Sequence, residues 1–533
     1  MKTNSNLTID RRAFLKSVGA VSASGLLSPL ELTATDTPVL RRGRKPNFLV
    51  VVADDQCYRT IRALNNPEVH TPAFDRLVAR GTTFTHCFHQ GSWTGAVCVA
   101  SRAMLHTGRY VWNCGGNHCG YYPLLGEALR MGGYDTYVVG KWHNGDQTAL
   151  HSFARGKTIG PGFYPSGPLS YDRPRPGDPW TPWDPKYLGH WTPKGLWNIQ
   201  QRTDHDLWKH QNGPSPVEAG PRYQRRQHSC ELYADSAVEF LEKMGERPDN
   251  PFFLYVAWNS PHDPRQAPKE FVDRYPAQNV KVPPNFLPQH PFDQGDFHVR
   301  DEKLAPFPRT PYDVQVHRQE YYALMTFMDR QLGRILEALE KSGQADNTYV
   351  FITGDHGLAV GEHGLMGKQN LYDCSVRMPF IMLGPGIAAG RRIESLMYQH
   401  CLFPTACDLA GLSIPATVQF PSLLPLLHGE RDHLFNSVYC AYRGFQRSVR
   451  TRTHKLIVYP EVKRVQLFDI EKDPWEMHNL ASDSSCSATV SALFKELRTW
   501  QARVSDTLVL DAAGLGIAIQ GRASEKDARA NER

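Results

Sequence analysis

The strongest constraint on the fold is a repeated pattern in which a short apolar run ends in charged or polar residues. The run NFLVVVA, residues 47–53, is typical of a strand buried on both faces, and it ends abruptly in Asp54 and Asp55. Similar apolar runs occupy residues 134–139, 251–258 and 349–353. Each of them is also followed by polar or charged residues. Buried strands of this kind predict a sheet that is covered on both sides.

Helical patterns separate these strands along the chain. Apolar residues recur at spacings of three and four over 317–341, where Gly343 predicts the end of the helix, and shorter helices are predicted over 72–80 and 124–131. Strands that alternate with helices are typical of a mostly parallel sheet. The sequence therefore predicts an α/β fold, with a large mostly parallel mixed sheet sandwiched by helices.

The pattern changes after about residue 390. The stretches VRTRTHKLIVYP and VQLFDIEKDP predict short antiparallel strands, and a last amphipathic helix is predicted near residues 488–504. We therefore expect a catalytic domain over 45–390 and a smaller C-terminal α+β subdomain with an antiparallel sheet over 391–520. Residues 521–533 are charged and are expected to form a frayed tail.

The N-terminus predicts export. Arg11 and Arg12 precede Phe14, Leu15 and a weakly apolar run rich in Ala, Gly and Ser. This order predicts a twin-arginine signal peptide over 1–34, since the apolar run is too short and too polar to span a bilayer. A disordered basic tail is the alternative. The expected partner is the twin-arginine (Tat) translocase, and the mature protein, without a membrane span, is expected to be periplasmic or secreted.

Charge and cysteine content exclude some classes of protein. The formal net charge is +6, and loss of the signal peptide would leave about +4. So small an excess does not suggest a nucleic-acid partner. The eleven cysteines contain no paired CxxC set with zinc spacing. Cys114 and Cys119 could close a small disulfide outside the cytoplasm, or they could remain loop thiols.

A segment rich in Pro, Gly and Trp interrupts the α/β pattern over residues 152–227. It contains Trp180, Trp183, Trp191, Trp197 and Trp208. A long irregular insertion in a compact domain is usually functional or disordered, and the tryptophans argue against disorder. The segment is predicted to form either a wall of a binding cleft or a self-packed surface lobe.

Side chains that can bind ions or take part in catalysis cluster at the predicted strand ends and in the loops that follow. They are Asp54, Asp55, Cys98, Arg102, Lys141, His143, His262, Asp355, His356 and Lys368. Three carboxylates with few sulfur ligands favour an oxygen-preferring cation such as Ca²⁺ or Mg²⁺. The lysines and the arginine would clamp a tetrahedral oxyanion beside that cation, and the histidines would transfer protons. Cys98 lies where a helix is predicted to begin, a position that suits an anion or a charged nucleophile.

The run CVASR, residues 98–102, resembles a family signature. Together with TGR at 107–109 it is similar to the C-x-P/A-S-R and T-G-R motifs of the type I (formylglycine-dependent) sulfatase family, in the alkaline-phosphatase-like superfamily. The resemblance covers nearly the whole mature chain. Ala100 departs from the commoner proline, and His356, where many members have asparagine, resembles the iduronate 2-sulfatase side of the family. The remaining matching motifs are DD at Asp54, GKWH at Lys141, PHDP at His262, DHG at Asp355, GK at Lys368 and EKDPWEMHNLA ending at Ala481.

The resemblance implies hydrolysis of sulfate esters. Cys98 would be oxidised by a formylglycine-generating maturation enzyme to 3-oxoalanine (formylglycine), whose hydrate is the nucleophile held by Arg102. Asp54, Asp55, Asp355 and His356, with one oxygen of residue 98, would bind the metal, which this ligand set predicts to be Ca²⁺, with Mg²⁺ as the alternative. Lys141 and Lys368 would hold sulfate oxygens. His262 would protonate the leaving sugar oxygen, and His143 would accept the proton whose loss expels sulfate.

The expected substrate is a sulfated polysaccharide or a glycosaminoglycan-like oligosaccharide. Export and the clustered tryptophans favour a sugar, because aromatic faces pack on pyranose rings. The candidates for binding the saccharide are Trp93, Trp183 and four residues of the stretch AYRGFQR, namely Tyr442, Arg443, Gln446 and Arg447. Two alternatives stay open: a phosphonate or phosphate diester hydrolase of the same superfamily, and a non-catalytic protein that binds sulfated glycan while Cys98 stays a thiol.

Overall fold

The computed structural model describes residues 44–160, 228–263, 265, 267–305 and 307–518. The predicted signal peptide over 1–34, the predicted tail over 521–533 and most of the insertion over 152–227, with Trp183, lie outside the described residues. The described part falls within one compact unit, Pro38–Arg533. Within that part, no helix is both long enough and apolar enough to cross a membrane.

Thirteen strands and eleven α-helices occur in the described ranges. The strands are β1 (Asn47–Ala53), β2 (Thr82–Phe88), β3 (Gly91–Ser92), β4 (Asp135–Lys141), β5 (Arg155–Gly160), β6 (Phe252–Ala257), β7 (Thr348–Gly354), β8 (Arg377–Leu383), β9 (Arg391–Tyr398), β10 (Val438–Tyr442), β11 (Gln446–Arg450), β12 (His454–Tyr459) and β13 (Arg464–Asp469). The helices are α1 (Pro72–Arg80), α2 (Val97–Thr107), α3 (Leu125–Met131), α4 (Asp146–Ser152), α5 (Ser229–Gly245), α6 (Lys269–Val272), α7 (Pro311–Lys341), α8 (Asp373–Val376), α9 (Leu402–Ala410), α10 (Leu424–Leu427) and α11 (Ser487–Arg503).

An eight-stranded sheet forms the centre of the molecule. Its strand order is β5-β4-β6-β1-β7-β8-β2-β9, and only β8 runs antiparallel to its neighbours. The predicted large, mostly parallel sheet is therefore confirmed. In β1, Phe48 and Val50 pack in the core on one face while Leu49 and Val51 pack in the core on the other. This double burial explains why the strand is a continuous apolar run.

The long helix α7 starts earlier than its apolar pattern predicts. The Thr310 side chain accepts a hydrogen bond from the Asp313 N–H (3.2 Å), and the Asp313 carboxylate accepts one from the Thr310 N–H (2.8 Å). This capping box, with Pro311 in the first turn, fixes the helix start by satisfying otherwise unpaired N–H groups. The buried face of α7 covers one side of the central sheet.

A second sheet has the order β13-β12-β11-β10-β3. Strands β10 to β13 are antiparallel, as predicted, and β3 joins them in parallel through the pairs Ala441 with Gly91 and Tyr442 with Ser92. Gly91 has φ +93°, and a Cβ there would lie 1.7 Å from the Ala441 carbonyl oxygen, so this contact requires glycine. Strand β9 belongs to the central sheet, so the predicted domain boundary near residue 390 falls between two strands of that sheet.

All eleven cysteines lie in the described ranges, and each is a free thiol. Cys114 and Cys119 are both buried, and burial raises the pKa of the Cys114 thiol to about 12. The sequence left open whether Cys114 and Cys119 form a disulfide or remain thiols, and in the structure they are thiols.

Candidate active site

The predicted site residues converge at the carboxyl edge of four neighbouring strands, β4, β6, β1 and β7. Asp54 and Asp55 follow β1, Lys141 ends β4, and Asp355 and His356 follow β7. All five side chains are fully buried. Parallel strands deliver their C-terminal residues to one edge of the sheet, which is why open α/β sheets place their sites there.

The two aspartates of the first motif are each paired with a lysine. Lys141 donates a short hydrogen bond to Asp54, and Lys368 Nζ lies 2.8 Å from Asp55 Oδ1. Burial opposes ionisation of Asp54, but the positive charges of Lys141, Lys368 and Arg102 outweigh it and hold the pKa of that carboxyl well below its ordinary value. Burial raises the pKa of Asp55. The site thus holds two carboxyl groups with different proton affinities.

The donor atoms fit an oxygen-preferring divalent cation. Asp54, Cys98 and His356 offer ligand atoms that all lie within 4.8 Å of one another, and His356 Nε2 is 3.6 Å from Asp355 Oδ1. Among the described residues, Asp54 Oδ1, Asp55 Oδ2 and His356 Nε2 are buried without a hydrogen-bond partner. Buried polar atoms without partners are costly, and a bound cation would satisfy them. The five predicted metal ligands therefore lie close together.

Cys98 occupies the second position of α2 and is fully buried. Its Sγ lies 3.2 Å from His143 Nδ1. One turn further along the helix, Arg102 Nε donates to Asp355 Oδ2 at 2.9 Å. Burial alone would lower the pKa of Arg102, but Asp355 raises it, so the guanidinium stays charged. The helix therefore presents the thiol and a fixed positive charge to the same site.

Of the two predicted proton-transfer histidines, His262 is buried and His143 is half-buried, and both are neutral at neutral pH. Burial and the charge of Lys141 lower the pKa of His143 to about 3, and burial also lowers the pKa of His262. His262 Nδ1 lies 2.7 Å from the Asp263 carbonyl oxygen and 3.1 Å from Asp263 Oδ1. A neutral imidazole can accept a proton at one ring nitrogen and donate one from the other.

Lys368 is a fixed cation that pairs with the second aspartate of the motif, as Lys141 does with the first. Its Nζ lies between Asp55 (2.8 Å) and Asp301 (3.9 Å). Burial disfavours the ammonium, but these two carboxylates raise the pKa of Lys368 well above its ordinary value. Both predicted sulfate-binding lysines therefore lie at the site.

The structure separates the four candidates in the AYRGFQR stretch. Arg443 is exposed, with 43 % of its side chain accessible, and its Nη1 lies 3.2 Å from Asp296, which also accepts a hydrogen bond from Tyr442. Gln446 is buried and donates to Gln294 and Gln369. These contacts engage the NH₂ of its amide group, while Oε1 is buried without a hydrogen-bond partner.

Arg447 has a different environment from the one that the sequence predicts. It is 2 % exposed and makes a bidentate pair with Asp506 at 2.6 and 3.0 Å. Its guanidinium also donates to two backbone carbonyls in its own strand and turn. Arg447 therefore supports the second sheet, which corrects its prediction as a substrate-reading residue, while that of Gln446 stays a prediction. Trp93 is half-buried and donates from Nε1 to Asn117.

Sequence reasoning missed several residues that hold the site. Gln399 donates to the Asp355 carbonyl oxygen at 3.0 Å, and Tyr321 donates to the carbonyl oxygen of Asp55, which has φ +68°. Asp263 lies inside the PHDP motif, so the motif itself was a signal for it. Gln399 and Tyr321 donate hydrogen bonds to backbone carbonyl groups that are distant in sequence. No local sequence motif therefore marks either residue.

Comparison with known proteins places the chain in a family. The sequence profile of the Sulfatase family matches residues 46–412, and the profile of the N-sulphoglucosamine sulphohydrolase C-terminal region matches residues 361–503. The chain is 26% identical over 493 residues to a sulfatase of Formosa agariphila, covering 87% of this chain and 89% of the relative. It is 28% identical over 421 residues to iduronate 2-sulfatase of Homo sapiens, covering 70% of this chain and 71% of the relative.

Solved structures share the fold. BT4656, in complex with its substrate D-glucosamine-2-N,6-O-disulfate, superposes with a TM-score of 0.66 at 20% identity and covers 87% of this chain and 99% of that chain. A phosphonate monoester hydrolase of Agrobacterium radiobacter superposes with a TM-score of 0.61 at 22% identity, over 86% and 96% of the two chains. The family profile spans well over half of the sequence. The chain therefore belongs to the sulfatase family and is a sulfuric ester hydrolase.

Proposed function

We propose that the enzyme hydrolyses sulfate esters of a sulfated saccharide, with Cys98 oxidised to formylglycine and Ca²⁺ as its bound cation. The observation that carries this proposal is the surroundings of Cys98. Its Sγ is within 4.8 Å of ligand atoms of Asp54 and His356, and 3.2 Å from His143. A nucleophile on residue 98 would therefore meet the cation and a proton acceptor at once.

The cation would be held by Asp54, Asp55, Asp355 and His356, with an oxygen of modified residue 98. When bound, it would neutralise negative charge on the sulfate group and favour the nucleophilic form of that oxygen. Carboxylate oxygens dominate this ligand set, which supports Ca²⁺, with Mg²⁺ as the alternative. The family generally uses formylglycine and a divalent metal.

The chain's own residues supply orientation and proton transfer. Lys141 and Lys368 are charged groups paired with Asp54 and Asp55 and would hold sulfate oxygens. Arg102, fixed by Asp355, would hold the hydrated formyl group in place. His262, oriented by Asp263, would give a proton to the leaving sugar oxygen, and His143 would accept the proton of the hydroxyl on residue 98.

A saccharide substrate is supported by the rim of the site. The N–H of Arg443 donates to the Ser92 carbonyl oxygen at 2.7 Å, so this arginine lies beside the segment that leads into α2. Its guanidinium keeps free N–H groups for a carboxylate or a second sulfate. Trp93, in the same segment, offers an aromatic face. Relatives named iduronate 2-sulfatase and N-acetylglucosamine-6-O-sulfatase also favour a sugar.

Export through the Tat translocase to the periplasm or beyond is part of the proposal and is supported by Arg11 and Arg12. Cell fractionation of the native chain and of an Arg11→Lys/Arg12→Lys variant tests it. Export of the wild type and cytoplasmic retention of the variant are expected. Equal export of both would contradict the proposed route.

Two measurements test the catalytic proposal. The first is the mass of the tryptic peptide that carries Cys98, where formylglycine is expected and an unmodified thiol would favour a non-catalytic glycan-binding protein. The second compares hydrolysis of an aryl sulfate, defined sulfated oligosaccharides and an aryl phosphonate. Preference for a sulfated oligosaccharide supports the proposal, whereas preference for the phosphonate would assign the phosphorus chemistry of the same superfamily.

A further inference from the structure

The loop that carries Lys368 is held by a buried carboxylate from a distant segment. Glu302 lies in a short 3₁₀ helix, Arg300–Leu304, and is 1 % exposed. Its carboxylate accepts hydrogen bonds from the Met366 N–H (2.9 Å) and the Gly367 N–H (2.8 Å). Met366 and Gly367 are the two residues that immediately precede Lys368.

The carboxylate of Glu302 is itself fixed by an arginine. Arg309 is 1 % exposed, and its Nη2 donates both to the Glu302 carboxylate and to the Glu302 carbonyl oxygen. Its guanidinium also stacks on the Phe307 ring at 4.0 Å from the ring centroid. A bonded charge pair in a rigid setting leaves the carboxylate with a single orientation.

Asp301, the residue before Glu302, contacts the same loop on the other side of Lys368 in the sequence. Asp301 Oδ2 accepts a hydrogen bond from Gln369 Nε2 at 3.0 Å and lies 3.9 Å from Lys368 Nζ. A Cβ at Gly367 would lie 2.9 Å from Asp301 Cβ and 3.0 Å from Glu302 Oε1. The acids therefore approach the backbone of this loop as closely as a glycine permits.

We infer that Glu302 is a positioning residue that sets the place of the Lys368 ammonium and thereby the affinity of the enzyme for the sulfate group. The inference rests on the proposed role of Lys368 in holding sulfate. Lys368 has a long flexible side chain, so its use as a fixed cation depends on a fixed backbone. Hydrogen bonds from two successive peptide groups to one carboxylate provide that constraint.

The test uses Glu302→Gln and the double variant Glu302→Gln/Arg309→Met in the full-length matured enzyme. The single change removes the charge and one acceptor oxygen while keeping the shape, but it leaves Arg309 buried without its partner. The double variant removes that charge too, and so separates positioning from stability. Glu340→Gln is the matched control, since Glu340 pairs with Arg80 on the surface, far from the Lys368 loop.

For the double variant, KM for an aryl sulfate and the inhibition constant of inorganic sulfate should both rise about tenfold, with a smaller change in kcat. Direct titration of inorganic sulfate by calorimetry should show the same loss of affinity. The control should match the wild type in all three values. A merely structural role would lower the unfolding midpoint and leave both constants unchanged, and that result would overturn the inference.

The test also distinguishes failure of the inference from failure of the proposed function. Wild-type turnover with unchanged KM and sulfate inhibition in the double variant refutes the inference alone. A wild-type enzyme that neither turns over sulfate esters nor binds inorganic sulfate refutes the proposed function, and the role of Glu302 in sulfate binding with it.

Discussion

Arg443 and Arg447 stand four residues apart, and truncating each to alanine should have opposite consequences. Arg443 is 43 % exposed and touches Asp296 at 3.2 Å, whereas Arg447 is 2 % exposed and forms a bidentate pair with Asp506. The pair Arg443→Ala and Arg447→Ala therefore compares a rim residue with a buried structural one. Only the first is expected to read substrate.

The magnitudes follow from burial. Removing one partner of a buried ion pair costs about 3–5 kcal/mol, because the other charge is left without compensation. Arg447→Ala should lower the free energy of unfolding by that amount. The exposed Arg443–Asp296 pair is screened by solvent and contributes less than about 1 kcal/mol. A charge-assisted hydrogen bond from Arg443 to the saccharide would contribute about 1.5–3 kcal/mol, or roughly 10- to 150-fold in kcat/KM.

Urea unfolding and steady-state kinetics measure the two effects. Arg443→Ala should unfold like the wild type and lose kcat/KM on the sulfated oligosaccharide, with little change on a small aryl sulfate that does not reach the rim. Arg447→Ala should be destabilised and affected equally on both substrates. Equal losses on both substrates in Arg443→Ala, or unchanged stability in Arg447→Ala, would refute the reasoning.

Three further outcomes are expected. Cys98→Ser should lose multiple turnover with any sulfate ester, because a serine hydroxyl cannot form the aldehyde hydrate, and near-normal turnover would contradict the proposed nucleophile. Chelation should abolish activity and Ca²⁺ should restore it, while a stoichiometric zinc ion held by cysteines in metal analysis would rule out the assigned ligands. Burial and the charge of Arg102 lower the pKa of His106 from 6.5 to about 3. The unfolded chain therefore binds this proton first, and the free energy of unfolding should fall below pH 6.5, by about 2 kcal/mol at pH 5. His106→Phe should lose that part of the acid sensitivity in urea titrations at pH 7 and pH 5, and an unchanged pH slope would show that His106 does not cause it.

The sequence predicts the central sheet because the inner strands of that sheet are buried on both faces. β1, β6 and β7 stand out as apolar runs for that reason. β9 is the last strand of the sheet and has exposed positions at Arg392 and Glu394, so it lacks such a run. This explains why the predicted boundary at residue 390 cuts the sheet. β3 has only two residues, and its pairing with β10 spans most of the chain.

The site is readable where its residues follow strand ends, as Asp54, Lys141 and Asp355 do. The sequence does not predict a site residue's role where that role depends on which side chain it pairs with in the folded protein. Arg443 and Arg447 look alike in sequence, and only the positions of Asp296 and Asp506 in space separate them. Glu302 accepts hydrogen bonds from the N–H groups of residues 366 and 367. Every residue except proline has such a group, so the sequence does not predict the contact.

The pairing of Gly91 with Ala441 orders events during synthesis of the chain. Cys98 lies seven residues after Gly91 and is fully buried once the protein is folded. At a synthesis rate of about 5–20 residues per second, the roughly 350 residues between these partners take about 20–70 s to appear. During that interval β3, which precedes α2, has no partner strand in the second sheet. A modifying enzyme that must reach this thiol therefore has at least this interval, in which β3 is still unpaired.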